Sequence, residues 1–231
     1  MERKHRRFED LLDQLAELLL RMGGLVEQSI GRSVTALVDR DSRLAREVIG
    51  SDVEIDRLEL EIDELCVEML AMQQPVARDL RFITTAMKIV VDLERIADLA
   101  GNVSERTLEL NEEPQLKPFI DIPLMARRAQ EIVHGALNAF VARDPVAARR
   151  VIAMDDELDR RMEQIFRELL SYMIEEPSSI TRALRLNFIA KYFERIGDQA
   201  TNVCEQVVYM TEARVIKHPR LSLERDGSAS G

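Results

Sequence analysis

Apolar residues recur every three to four positions through six long segments of the chain, which is the spacing of one face of an α-helix. The second segment ends at Gln73-Gln74-Pro75, because proline cannot continue the hydrogen-bonded ladder of a helix. In the first segment Gly23-Gly24 interrupts the apolar stripe, and we expect a bend or a local weakness there. The predicted helices cover residues 5–39, 42–72, 76–111, 122–142, 145–176 and 178–215.

The polar positions contain an internal repeat. The segment Glu94–Glu105 returns one hundred residues later as Glu194–Glu205, and eight of the twelve positions are identical. Earlier in each half, Val48–Arg57 matches Val151–Arg160 at a separation of 103 residues. Because the same helices recur in the same order, the chain is expected to contain two copies of one structural unit.

The repeat and the periodicity together predict an all-α fold, built as two tandem antiparallel three-helix bundles. Asp41 and Asp144 stand at equivalent places just before helical segments, where an Asp side chain caps the first turn, and Ser42 is the alternative cap of the second helix. The predicted boundaries are residues 1–113 for the first bundle, 114–118 for a linker, 119–216 for the second bundle and 217–231 for a disordered tail.

Composition and charge restrict the classes of protein to which the chain can belong. Charged residues make up 32% and aromatic residues 4%, a balance that favours long amphipathic helices. The net charge of −10 argues against nucleic acid, which needs a basic face. Cys66 and Cys204 lie in different halves, which excludes a disulfide framework and fits a reducing compartment. No apolar run approaches the ~18 residues of a membrane span, so we expect a cytoplasmic protein that reaches membranes only through partners.

The repeated segments place Glu, Asp and Asn at positions i, i+4 and i+8, one above another on a helix face. We call this stack of side chains the acid column, or acidic column, of each repeat. Two helices joined by a short turn run antiparallel, and residues at one height then share an index sum. Asp56 with Glu94 and Asp52 with Asp98 meet this condition in the first half, and corresponding acids meet it in the second. The candidate metal ligands are Asp52, Asp56, Glu94, Asp98, Asn102, Asp155, Asp159, Glu194, Asp198 and Asn202.

Opposed acids on neighbouring helices repel one another, so their pKa values rise or a cation joins them. A hard cation held by oxygen ligands is the natural partner. The alternative is that the acids are solvated and paired with nearby arginines; such surface pairs contribute at most ~1 kcal/mol, so their pattern should drift between two diverged halves. Retention of the acids in both halves favours a carboxylate site over the arginines Arg57, Arg95, Arg160 and Arg195 as their partners.

At these residues the chain resembles the PhoU family of phosphate-transport and phosphate-signalling regulators. The resemblance covers about residues 5–215. Its most specific parts are Leu93–Asp98, Phe193–Asp198 and the hairpin segment Gln74–Arg81. Many family members have His directly after the motif Asp, whereas this chain has Leu99 and Gln199, so a metal site that uses that His is not expected here.

The resemblance implies a function. It implies two three-helix bundles, often dimeric, with multinuclear iron or zinc clusters on the acidic helices of some members. It also implies a negative regulator of the phosphate-starvation response, with a sensor histidine kinase and the ATPase subunit of a phosphate ABC transporter as partners. No catalytic activity comes with the family, so we expect a protein that is not an enzyme.

The sequence also bears on two other classes of protein. A ferritin-like di-iron oxidase needs Glu-x-x-His pairs, and none of His5, His134 and His218 follows a Glu by three. A helical metal-binding or scaffold protein unrelated to phosphate remains open, and an apolar strip outside the core would favour a scaffold. Phosphate itself should not bind the acid columns directly, although a bound cation could reverse the local charge.

Overall fold

In a computed structural model, the fold is described for residues 2–73, 75, 77–214 and 216, and every regular element in them is helical. The predictions for Gln74, Val76, Val215 and the tail 217–231 lie outside these residues. The elements are α1 (Glu2–Val38), α2 (Ser42–Gly50), α3 (Asp52–Gln73), α4 (Ala77–Asn111), α5 (Asp121–Ala142), α6 (Pro145–Ile152), α7 (Asp156–Glu175), a 3₁₀ turn (Pro177–Ser179) and α8 (Ile180–Glu212).

The second helix of each repeat is broken, which the apolar pattern did not predict. In the first repeat the break lies at Ser51, whose backbone N–H and hydroxyl both donate to the carbonyl oxygen of Val48. In the second repeat the break covers residues 153–155. Each repeat therefore keeps three helical layers, with the second layer in two pieces, and the predicted all-α fold of two bundles is confirmed.

Both predicted helix caps are present. The Asp41 carboxylate accepts from the backbone N–H groups of Arg43 and Leu44, each at 2.9 Å. The Asp144 carboxylate accepts from Val146 at 2.8 Å and from Ala147 at 3.0 Å. These bonds satisfy donors that the first turn of a helix leaves free.

Helix α1 continues without interruption through Gly23-Gly24, where the sequence suggested a weak point. Gly23 has a packing role instead. A Cβ at this position would lie 2.2 Å from Cδ1 of Leu137 on α5. The glycine therefore admits a close contact between the first helix of one repeat and that of the other.

The two repeats share one core. Helices α4 and α8 pack antiparallel, with Arg81 Nε donating to the carbonyl oxygen of Met210 at 3.2 Å. Phe82 of α4 stacks on Phe140 of α5, with ring centroids 5.1 Å apart. The segment between α4 and α5 also contacts the second repeat, because the buried Lys117 ammonium pairs with Glu168 on α7. This packing leaves the α3/α4 and α7/α8 hairpins with their acidic faces outward.

Cys66 and Cys204 are free and buried, and burial raises the pKa of each thiol to about 12. Neither cysteine is therefore set up as a reactive thiolate. Among the described residues, the structure contains no helix with the length and apolarity that a membrane span requires.

Candidate carboxylate site

The first acidic column begins with a pair of interacting carboxyl groups on α4. Glu94 and Asp98 stand one turn apart and share a hydrogen bond. Burial, followed by repulsion from Asp98 and Glu59, raises the pKa of Glu94 to about 7. Near neutral pH this pair therefore holds a proton for part of the time, with protonated Glu94 donating to the Asp98 carboxylate.

Asp52, at the first position of α3, faces this pair as the index sum predicted. Burial, then repulsion from Asp56 and Asp98, raises the pKa of Asp52. Asp52, Asp98 and Asn102 line one cleft of about 120 Å³. Its wall also includes Ser51 and Glu105. Three predicted ligands from two helices thus meet at one opening.

Glu59 also belongs to this acidic group, although the sequence analysis missed it. Burial, then repulsion from Asp63, Asp56 and Asp98, raises its pKa. Glu59 lies seven residues after Asp52, a spacing that returns to the same helix face. The corresponding position in the second repeat is Met162, so Glu59 is not part of the repeated acid pattern.

Asp155 is the most strongly perturbed acid of the second repeat. Burial, followed by repulsion from Asp198, Asp159 and Glu194, raises its pKa to about 7. Its Oδ1 atom is buried and accepts no hydrogen bond from the described residues. The close approach depends on Gly197, where a Cβ would lie 2.4 Å from that oxygen. Asp155 is thus pressed against the backbone of α8.

The second column carries a lysine that the first column lacks. Lys191 Nζ donates to Glu194 Oε1 at 2.5 Å, and the corresponding residue of the first repeat is Val91. The other carboxylate oxygen of Glu194 is buried and has no hydrogen-bond partner among the described residues. Burial and the charges of Glu194 and Asp159 raise the pKa of Asp198. The two columns therefore differ in charge balance.

The alternative, in which nearby arginines pair with the acids and neutralise them, finds little support in the contacts of the described residues. Arg160 donates to the backbone carbonyl oxygen of Asp156 at 3.0 Å. Arg195 acts on Asp198 only through its charge, against the larger effect of burial. Burial is the largest cause of the raised pKa values of these acids, and repulsion from neighbouring acids adds to it.

The oxygen-rich donor set suits a hard cation by its chemistry, and the buried, unpartnered oxygens of Asp155 and Glu194 are acceptors without a donor. In the part of the chain that the structure describes, however, no three acidic, His or Cys side chains are arranged to hold one metal ion. Asp56 and Asp159 act on their neighbours by charge, and Asn202 lies one turn beyond Asp198. Metal binding at these ten residues stays a prediction.

Comparison with known proteins agrees with the repeat. The family model described as "PhoU domain" matches residues 19–107 and 122–207. A protein from Aquifex aeolicus, named as a phosphate-specific transport system accessory protein PhoU homolog, is 40% identical over 91% of this chain and 95% of its own length. The Escherichia coli protein of the corresponding name is 33% identical over 91% of this chain and 88% of its own length.

Solved structures agree as well. The crystal structure of PhoU from Pseudomonas aeruginosa has a TM-score of 0.86 and 39% sequence identity, over 90% of this chain and 100% of that one. The phosphate transport system regulatory protein PhoU from Streptococcus pneumoniae has a TM-score of 0.85 and 26% identity, over 90% of this chain and 99% of that one. With both repeats matched and the fold shared, the chain belongs to the PhoU family.

Proposed function

We propose that this protein regulates phosphate uptake and phosphate-responsive signalling, as a negative regulator of the phosphate-starvation response that works by docking. The observation that carries the proposal is the likeness over both repeats to proteins named as accessory to a phosphate-specific transport system. An accessory protein of this kind acts by differential affinity for two states of its partners. Its output therefore depends on those partners.

We expect docking and not catalysis. The most perturbed acids, Glu94 and Asp155, are partly buried, and burial together with repulsion from neighbouring acids accounts for their raised pKa values without a catalytic role. The proposed partners are a phosphate-responsive sensor histidine kinase and the ATPase subunit of a phosphate ABC transporter. The protein acts from the cytoplasm, as a homodimer, and meets the membrane only through these partners.

A binding measurement tests the proposal. The purified full chain is immobilised and exposed to the ATPase subunit and to the cytoplasmic part of the sensor kinase from the same organism. Binding of at least one of them, with an affinity that changes with phosphate or nucleotide, is expected. An ATPase subunit of an unrelated importer is the control. Equal binding to the unrelated subunit, or binding to neither proposed partner, contradicts the proposal.

The acid columns are proposed to bind iron, zinc or another cation through oxygen ligands. In the first repeat, a cation would supply the positive charge that a shared proton supplies between Glu94 and Asp98. Elemental analysis of freshly purified protein, alongside Glu94→Ala and Glu194→Ala, measures this directly. Each substitution should remove about half of the metal, and Glu61→Ala on the exposed face of α3 should remove none. Equal metal content in all four proteins contradicts the site.

A bound cation is also the proposed route by which phosphate acts on the columns. Like charges keep free phosphate away from the bare acids. Phosphate binding should therefore depend on the metal and disappear with a chelator. If phosphate binds equally well with and without chelator, this route is wrong.

A further inference from the structure

The acid column of the second repeat contains an ammonium group. Lys191 Nζ donates to Glu194 Oε1 at 2.5 Å, and the charge of Lys191 acts to lower the pKa of Asp198 against the larger effect of burial. The Lys191 side chain is 48% exposed, whereas that of Glu194 is 13% exposed. The ammonium therefore lies on the solvent side of a largely buried carboxylate.

The acid column of the first repeat has Val91 at the position that corresponds to Lys191. The pKa values of Asp52, Glu59 and Glu94 are raised by burial and by neighbouring acids, and no basic group of the described residues is among the causes. The negative charge of the first column is therefore not offset from within the column.

Other charged residues around the columns balance between the two repeats. Arg95 and Arg195 stand at corresponding positions, so each column has one of them. Glu59 adds an acid to the first column, and Asp156, which raises the pKa of Asp155, adds one to the second. Among the charged side chains of the two columns, the Lys191 ammonium is thus the one that makes the second column less negative than the first.

The space around the acids differs as well. The cleft of about 120 Å³ beside Asp98 has Gly101 in its wall. A Cβ at Gly101 would meet no atom within 4 Å. The corresponding Thr201 carries a side chain, whose hydroxyl donates to the carbonyl oxygen of Asp198 at 2.8 Å. A cation can therefore approach the first column through open space, whereas at the second column it meets the Lys191 ammonium.

We propose that Lys191 is a built-in counter-cation that ranks the two columns, so that the second column binds an external divalent cation roughly tenfold or more weakly than the first. The cation must displace the ammonium from Glu194 or bind beside it. Even in bulk water, a unit positive charge about 6 Å from a divalent cation weakens its binding roughly tenfold. The inference rests on the cation binding that is part of the proposed function and names the residue that sets its order. Both columns fill when the cation is in excess.

The test measures the affinity of each column separately in the full chain. Mn²⁺ is a suitable probe because it prefers oxygen ligands, and its free concentration is read by electron paramagnetic resonance. Glu94→Gln with Asp98→Asn leaves only the second column intact, and Glu194→Gln with Asp198→Asn leaves only the first. At about pH 7.5, the protein with the first column should bind Mn²⁺ roughly tenfold or more tightly than the protein with the second.

Exchanging the residues between the repeats tests the role of Lys191 itself. In the protein with only the second column, Lys191→Met keeps the length of the side chain, removes its charge and should tighten Mn²⁺ binding roughly tenfold. Lys191→Arg keeps the charge and should leave the affinity low. In the protein with only the first column, Val91→Lys should weaken binding roughly tenfold, and the matched control Val91→Met should not. Circular dichroism checks that each variant is folded.

Equal affinity of the two columns overturns the inference. So does a Lys191→Met variant whose affinity is unchanged, because an exposed ion pair with a purely structural role leaves cation affinity alone. If Lys191→Arg tightens binding as much as Lys191→Met, charge is not the cause and the inference is wrong. A wild type that binds no Mn²⁺ overturns it together with the proposed cation binding.

Partner binding separates this inference from the proposed regulatory role. If the wild type binds the transporter ATPase subunit or the sensor kinase while the two columns bind Mn²⁺ equally, the regulatory role stands and only this inference fails. If the wild type binds neither partner while the exchanges at positions 91 and 191 change Mn²⁺ affinity as expected, the regulatory role fails and the order of the columns stands.

Discussion

Glu94 holds its proton close to neutral pH because partial burial and the carboxyl groups around it disfavour its charge. In an unfolded chain the same group titrates near 4.5. Between these two values the folded state binds more protons than the unfolded state, so the free energy of unfolding falls as pH rises through this window. Asp52, Glu59, Asp155 and Asp198 act in the same direction.

Glu94→Gln removes this carboxyl group and therefore tests the expected pH dependence of the free energy of unfolding. The variant should unfold at higher urea concentration than the wild type at pH 8, by about 1 kcal/mol, since solvent screens part of the repulsion at this partly buried group. At pH 4, where the wild-type carboxyl is protonated in both states, the two proteins should differ little. Glu61→Gln, on the exposed face of α3, should show no such pH dependence. A Glu94→Gln protein no more stable than wild type at pH 8 contradicts the carboxyl repulsion.

Gly197 allows Asp155 and Leu158 to approach α8, with a new Cβ only 2.4 Å and 2.5 Å from their side-chain atoms. Gly197→Ala should therefore be about 1 kcal/mol less stable than Gly101→Ala, a helical glycine with no atom within 4 Å of the added Cβ. Urea unfolding measures both. If both alanines stabilise the protein equally, Gly197 has no packing role.

Residue identities at the site were only partly predictable. The index sums placed Asp52 opposite Asp98 correctly, because they depend only on an antiparallel hairpin. Glu59 was missed because its partner position in the second repeat is apolar. The close packing of Asp155 against Gly197 could not be predicted from the sequence, since it depends on how closely two segments of backbone approach each other.

At the scale of the elements, the helix ends followed from local chemistry. Asp41 and Asp144 cap α2 and α6, and each follows an Arg with positive φ, 55° at Arg40 and 52° at Arg143. The breaks between α2 and α3 and between α6 and α7 were missed because the apolar period continues across them. In the second repeat, Ala153 and Met154 both favour helix by propensity, so tertiary packing decides the break.

The caps give a prediction at this scale. Asp41→Ala and Asp144→Ala should each lower the free energy of unfolding by about 1 kcal/mol, because two backbone donors lose their acceptor. Asp39→Ala, an exposed residue next to the first cap, should change it by less than about 0.5 kcal/mol. Chemical unfolding of the three variants at pH 7 gives the comparison. A cap variant as stable as the Asp39 control would show that the cap bonds contribute nothing.

At the scale of the whole molecule, the two repeats are not independent. The core is one cluster that includes buried residues of both halves. Arg185 of α8 pairs with Glu109 at 2.9 Å and also with Glu113, which joins the second repeat to the end of α4. The sequence predicted two bundles correctly. Their shared core depends on which faces of α4 and α8 pack together. The period of the apolar residues marks an apolar face on each helix, but it does not specify the helix against which that face packs.

We therefore expect both repeats to unfold together. Calorimetry should give one transition with equal calorimetric and van't Hoff enthalpies, as for a single cooperative unit. A destabilising substitution in either repeat should lower the temperature of that one transition. Two separate transitions, each sensitive to substitutions in only one repeat, would show that the shared core is too weak to couple them.

The proposed restraint of the phosphate-starvation response is tested most directly by a reporter of that response, measured at high phosphate in the source organism after the gene is deleted and then restored. We expect an active reporter in the deletion strain and a silent one when the wild-type chain is restored. A reporter that stays silent at high phosphate without the gene would contradict this regulatory role.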